Sequence, residues 1–351
     1  MNPVFVLIIT AAVAWVILSL VVPPIAAVCR QRGWLDQPGP RKIHATPTPR
    51  LTGVSFFIAV WAAILLIGIL YPDSLMGLRP QFVPVLTGSF LILALGIIDD
   101  LYSLPGLWKL TGQVVAGMPL WLSGIGFGQL WIPFVGGTDL GMWALPVSVL
   151  WFLILVNAVN IIDGVDGLAT ATSGVATLTL IWITYTLHIL PLAVVAAALF
   201  GALVGFWRYN RPPAKVFMGD SGSLTLGYFI AVIALLAPIK RFTALAFFVP
   251  LIAMLLPLGE SAWSVVRRSA AGVNPMRGDA EHVHHVLLSS GWSPRQVVVA
   301  YAVVSVIFGV FCVAFHYFNR KVLAVILGFF VLLLGIGLAI ISARKNAGVD
   351  D

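Results

Sequence analysis

Three groups of oxygen-bearing side chains in this sequence have the types and spacing to handle a phosphate and a hard cation. Asp99 and Asp100 are adjacent and close an uninterrupted apolar run. A hard divalent cation takes oxygen ligands and shares them with substrate phosphates, so a carboxylate pair suits Mg²⁺ or a general base beside a phosphate. The same pair would also make an ordinary polar stop for a helix. Asn157, Asn160, Asp163 and Asp166 recur every three residues and line one side of a helix or tight turn with amides and carboxylates. Gly164 and Gly167, one after each acid, permit close backbone approach. The segment 215–223, Lys-Val-Phe-Met-Gly-Asp-Ser-Gly-Ser, sets Asp220 where another apolar run begins. Free N–H groups and the positive dipole end of a helix there would hold an anion while Asp220 holds a metal, although Asp and Ser are also common helix caps.

A fourth cluster, Glu281-His-Val-His-His285, supplies three histidines in four positions. No cysteine accompanies it, and the carboxylates elsewhere favour Mg²⁺, so phosphate or sugar contact is expected in preference to zinc. Arg267 and Arg268 precede it and fit diphosphate binding, as well as the basic flank that membrane topology demands. His188 and His316 fall near the opposite face and receive no role.

The elements that must position these groups are membrane helices. Of 351 residues, 60% are hydrophobic and 9% charged, far from the quarter charged of an ordinary soluble domain. Cys29 and Cys312 both belong to apolar runs and support neither a disulfide framework nor a thiolate metal site. The first apolar run lacks a basic leader and a cleavage pattern, and reads as a retained span. Runs of this length cross a bilayer as helices, because every backbone group must be paired in hydrocarbon. Eleven are expected, at 4–28, 51–70, 82–98, 107–122, 140–159, 168–187, 189–207, 223–239, 242–266, 297–318 and 322–341, with the fourth weakened by Pro119 and a hairpin outside the membrane at 124–139. One set of alternate loops carries 15 Lys and Arg residues and the other five. The positive-inside rule then places the first set in the cytoplasm, the N-terminus outside and the C-terminus inside. The net charge of +7 therefore reports topology and gives no reason to expect nucleic acid. The fold expected is all-α: one polytopic helical bundle, 1–351, whose loops 29–50, 99–109, 157–168, 208–222 and 267–296 form a site on the cytoplasmic side.

Taken in order, Lys-Ile-His-Ala-Thr-Pro-Thr-Pro-Arg50, Gly-Ile-Ile-Asp-Asp100 running on to Lys109, the stripe from Asn157 to Gly167, Phe-Met-Gly-Asp-Ser-Gly-Ser223 and His-Val-His-His285 resemble the polyprenyl-phosphate N-acetylhexosamine-1-phosphate transferases. The pattern is more similar to the bacterial undecaprenyl-phosphate GlcNAc-1-phosphate branch than to the MurNAc-pentapeptide branch. The resemblance implies a bacterial plasma-membrane enzyme that passes GlcNAc-1-phosphate from a UDP-sugar to undecaprenyl phosphate. Asp99 would then deprotonate or orient the lipid phosphate beside Asp100. Asp220 would be the chief ligand of Mg²⁺, with Asp99 contributing and Mn²⁺ as an alternative. Asp163, catalytic in this reading, and Asp166, Asn157 and Asn160 would serve metal organisation and uridine recognition. Lys42, His44, Arg50, Lys109, Arg268, His282, His284 and His285 would contact substrate. Departures at Thr52, Glu260, Ser269, Ala270, Ala271 and Ala280 bear on the sugar rather than on the metal and lipid sites. A homodimeric assembly stays open. The alternatives are phospho-MurNAc-pentapeptide transfer, a secondary transporter and a non-catalytic scaffold; transporter sites lie at mid-bilayer between repeats, whereas these acids lie at helix ends with no repeat evident.

Overall fold

A computed structural model of the chain describes residues 2–38, 46–132, 136–236, 287–288, 291–317 and 328. The expected spans at 242–266 and, apart from residue 328, at 322–341 lie outside the described residues. The other nine positions are helical: α1 (Pro3–Arg32), α2 (Val54–Leu70), α3 (Phe82–Tyr102), α4 (Gly106–Leu122), α5 (Ala144–Ile162), α6 (Leu168–Thr186), α7 (Leu190–Asn210), α8 (Gly219–Leu236) and α9 (Pro294–Tyr317). Among the described residues, eight of these are long and apolar enough to cross a membrane. The ninth, α4, is 17 residues long and holds Pro119 internally, the weakness expected from sequence.

Local chemistry sets several boundaries. Asn2 caps α1 by accepting from the Val4 N–H at 3.0 Å, Pro3 occupies the first turn, and Gly33 ends the helix in the left-handed region at φ 72°. Five threonines of α6 return their hydroxyls to carbonyls four residues earlier, Thr172, Thr177, Thr179, Thr184 and Thr186, which hides polar groups that lipid would penalise. Two small antiparallel ribbons complete the fold. β1 (Leu35–Asp36) pairs with β2 (Thr48–Pro49), and β3 (Gln129–Ile132) pairs with β4 (Gly136–Asp139) as the hairpin expected in 124–139.

Helix α8 is the axis of the bundle. Every residue from Ser221 to Leu235 is buried, as befits a helix that is apolar on all sides. It packs between α3 and α5, while α1 lies along α7 and α9 along α6. Close approach depends on small residues. A Cβ on Gly53 would stand 2.2 Å from the Gly222 Cα, one on Gly96 2.5 Å from the Ser221 Cα, and one on Gly201 2.0 Å from the Ala11 carbonyl oxygen. The start of α8 is thereby seated directly on the backbone of its neighbours. Helix polarity alternates from α1 to α8, so the ends of α1, α3, α5 and α7 and the starts of α2, α4, α6 and α8 share one end of the bundle. Arg295 at the start of α9 donates to the Pro212 carbonyl at 3.3 Å and places that start at the same end.

Gly53→Ala should therefore lower the melting temperature of the purified protein by forcing backbones apart, at a cost of about 1–3 kcal/mol. Gly106→Ala, where a Cβ meets nothing within 4 Å, serves as the control and should leave melting unchanged or slightly higher. Equal melting of the Gly53 variant and the native protein would show that this contact does not constrain the bundle.

Candidate active site

The first turn of α8 leaves N–H groups without intrahelical partners, and a carboxylate from another helix answers them. Asp100, in the last turn of α3, accepts from the Asp220 N–H at 2.8 Å and from the Ser221 N–H at 3.0 Å. Its Oδ1 also accepts from Arg50 Nε at 3.0 Å. The Asp100 side chain is wholly buried, and the helix N-terminus and the guanidinium offset part of its desolvation. Gly219 makes the arrangement sterically feasible: its φ is +66°, and a Cβ there would lie 2.3 Å from the Arg50 carbonyl oxygen and 2.7 Å from Asp100 Oδ2.

Asp99 faces a different set of partners. Its Oδ1 accepts from the Leu104 N–H at 2.7 Å, and its Oδ2 lies 3.0 Å from Lys109 Nζ. Lys109 is the hub: its ammonium also donates to Asp220 Oδ2 and, at 3.1 Å, to Asn160 Oδ1. Asn160 in turn donates to Asp220 Oδ1 and to Ser223 Oγ, both at 2.9 Å. Two carboxylates and an amide from three helices thus converge on one positive charge.

One turn deeper, Gln113 and Asn157 exchange amide hydrogen bonds at 3.2 Å and 2.6 Å, and Asn157 also donates to the Leu153 carbonyl at 2.8 Å. The pairs Lys109–Asn160 and Gln113–Asn157 form two rungs between the antiparallel helices α4 and α5. Beyond α5, Asp166 accepts from the Ala214 N–H at 2.8 Å. Asn210 accepts from the Gly167 N–H and the Thr170 hydroxyl and donates to the Val216 carbonyl. The Thr52 hydroxyl donates to the Phe217 carbonyl at 2.6 Å, and the Phe217 N–H donates to the Pro49 carbonyl at 2.8 Å. These bonds hold the loop leading into α8 against the ends of α7 and α5 and the start of α2.

Asp163 ends α5, and among the described residues no hydrogen bond reaches its carboxyl. Burial first, and then the charges of Asp220, Asp100 and Asp166, push that carboxyl well above the usual range, with Arg50 opposing. Among the described residues no three acid, histidine or cysteine side chains are grouped for metal ligation. Mg²⁺ is commonly held by one or two carboxylates plus substrate phosphates, and the hard oxygen set of Asp99 and Asp220 fits that mode.

The structure brings together Arg50, Asp99, Asp100, Lys109, Asn160 and Asp220 through direct contacts, with Asn157 one rung away and Asp163 and Asp166 at the adjoining turn. Lys42, His44, Arg268, His282, His284 and His285 lie outside the described residues. Gln113, Thr52 and Asn210 escaped the sequence reading as site-building residues. Gln113 carried one signal, as an amide four residues after Lys109 on an otherwise mostly apolar helix.

Comparison with known proteins gives this geometry its context. A model of glycosyl transferase family 4 matches residues 82–237, which include the ends of α3, α5 and α8. A probable undecaprenyl-phosphate N-acetylglucosaminyl 1-phosphate transferase of Bacillus subtilis is 33% identical over 295 residues, covering 83% of this chain and 80% of the relative. The chain belongs to glycosyl transferase family 4. Another relative, decaprenyl-phosphate N-acetylglucosaminephosphotransferase of Mycobacterium tuberculosis, is 33% identical over 78% of the chain and 74% of its own length. A phospho-N-acetylmuramoyl-pentapeptide-transferase of Clostridium perfringens is 35% identical but over only 50% of the chain and 53% of its own length. This family 4 member is thus a multi-pass membrane enzyme, with its most polar helix ends gathered at one end of the bundle.

The raised Asp163 value has a consequence for stability. A carboxyl raised on folding leaves the native state holding more protons than the unfolded state, so its contribution to stability falls as pH rises from about 3.9 through the raised native value. In EDTA, Asp163→Asn should melt higher than the native protein near about pH 8, with the difference shrinking toward about pH 4. A pH-independent difference in melting temperature would refute the assignment.

Proposed function

We propose that this chain transfers N-acetylglucosamine-1-phosphate from UDP-N-acetylglucosamine to a polyprenyl phosphate. In a bacterial plasma membrane the acceptor would be undecaprenyl phosphate, and the product a lipid-linked diphospho-sugar that starts envelope polysaccharide synthesis. The observation that carries the reading is the convergence of Asp99, Asp220 and Asn160 on Lys109 at one end of a membrane bundle. The names of the Bacillus and Mycobacterium relatives describe the same class of transfer.

The reading takes eleven spans, with the N-terminus outside and the site and C-terminus on the cytoplasmic side. The excess of Lys and Arg in the loops at the site end supports that orientation. A site at a helix end also suits the chemistry, since the acceptor keeps its tail in hydrocarbon while its phosphate meets a water-soluble donor. Homodimeric assembly is compatible with the reading and is not required by it.

In the reaction a phosphate oxygen of the acceptor attacks the β-phosphorus of the donor. A new P–O bond forms as the bond from that phosphorus to the bridging oxygen breaks, and UMP leaves with that oxygen. One phosphoanhydride replaces another, so the step is readily reversible. Phosphoryl transfer depends on positioning and charge neutralisation, which Lys109 and the Arg50 guanidinium supply beside the carboxylates. Asp99 orients the acceptor phosphate and takes its proton when it arrives protonated. Mg²⁺, or Mn²⁺ in its place, would be held by Asp220 and Asp99 and would supply further neutralisation of the diphosphate. Asp100 keeps α8 and Arg50 in place, and Asp163 and Asp166 shape the turn beside Asn157 and Asn160 for the uridine. Lys42, His44, Arg268, His282, His284 and His285 complete the contacts to diphosphate and sugar.

Purified protein given undecaprenyl phosphate, Mg²⁺ and UDP-N-acetylglucosamine should release UMP, and omission of lipid or addition of EDTA should stop it. Asp99→Asn and Asp220→Asn should each reduce release by on the order of 10²-fold or more while melting remains cooperative. Undiminished release by either variant removes that residue from the mechanism. Release only with UDP-MurNAc-pentapeptide would replace the proposed donor.

A further inference from the structure

At the end of the bundle opposite the carboxylates, the helices part around a cavity of ≈ 360 Å³, within the size range of small-molecule and cofactor pockets. Trp61, Phe82, Leu192, Phe229, Val232 and Leu236 contribute to its apolar wall. The cavity stands roughly 20 Å from Asp220 along α8, counted at about 1.5 Å per residue, so it is separate from the site already described. Two polar residues of the Pro72–Gln81 segment and its C-terminal end also line it. Arg79 is exposed, and among the described residues it forms no ion pair, although Asp73 lies on the same segment. The Gln81 Oε1 atom is buried and, among the described residues, has no hydrogen-bond partner.

The rim is apolar as well. Val83 in the wall is 68% exposed, and Ile69, next to the lining residue Gly68, is 76% exposed. On a membrane-spanning bundle such surface meets acyl chains, so the cavity opens toward lipid. A guanidinium with no ion-pair partner among the described residues adds a preference for negative charge at the mouth, and a buried amide oxygen seeks a donor.

We propose that this cavity binds one anionic phospholipid bearing a hydroxylated headgroup. An acyl chain occupies the apolar volume, Arg79 meets the phosphate, and a headgroup hydroxyl donates to Gln81 Oε1. The site is a second lipid site, remote from transfer, and its occupant is a structural lipid of the leaflet opposite the active site.

The test uses the full chain, stripped of lipid in mild detergent and then exposed to phosphatidylglycerol or phosphatidylcholine, with retention read by native mass spectrometry and stability by melting temperature. Wild-type protein should retain one phosphatidylglycerol in preference to phosphatidylcholine and melt higher with it. Arg79→Gln should lower that preference by about fivefold, the worth of one basic residue at an anionic headgroup, while UMP release stays at the native level. Val232→Phe, which places a ring in the cavity, should abolish retention even where the Arg79 variant keeps some. Equal retention of the two lipids, undiminished retention by both variants, or the same melting shift from glycerol phosphate alone would overturn the proposal. Absence of any retained lipid would show that the chain itself fills the cavity and would overturn it too.

Discussion

The free N–H groups at the start of α8 impose the central constraint on this structure. A buried helix that begins inside the bundle cannot send those groups to bulk water, and leaving them unpaired costs free energy comparable to lost hydrogen bonds. Asp100 meets them from α3, Arg50 balances Asp100 from the entry to α2, and Gly219 lets the chain turn between them. The same contact presents Asp220, the second residue of α8, to Lys109 and Asn160. A structural requirement of one helix therefore places the acidic groups of the site.

The geometry divides the acids by role. Asp100 has both oxygens committed to backbone and guanidinium, and Asp166 is committed to the loop before α8. Asp99 and Asp220 share one cation, the Lys109 ammonium, so their charge is met by a side chain rather than by the backbone of α8. The rungs between α4 and α5 hold that ammonium at the right height. Buried amide pairs such as Gln113–Asn157 specify register where apolar contacts alone would permit sliding, because a shifted pair would leave both amides unsatisfied.

Much of the architecture was legible from the residues. Continuous apolar runs marked nine helices within a few residues, since hydrocarbon leaves no other way to pair the backbone over those lengths. The boundaries moved where polar residues were drawn into helices by tertiary partners. α3 runs through Asp99 and Asp100 to Tyr102 instead of stopping at 98, and α8 begins at Gly219 ahead of 223. Both extensions meet at the same contact, in which each helix supplies what the other's end lacks.

The order and types of Asp99, Asp100, Lys109, Asn160 and Asp220 were determined by the sequence itself, as were the membrane setting and the placement of acids at helix ends. Their membership in one family pattern was legible there as well. Only the tertiary structure decided that Asp100 caps α8, that Lys109 joins Asp99 to Asp220, and that Gln113 pairs with Asn157. Asp100 and Ser221 are 121 positions apart, and Lys109 and Asp220 are 111 apart. A pattern of hydropathy records which face a residue prefers, but a hydrogen bond across such a separation depends on how the helices pack. That packing is set by where glycines allow backbones to touch.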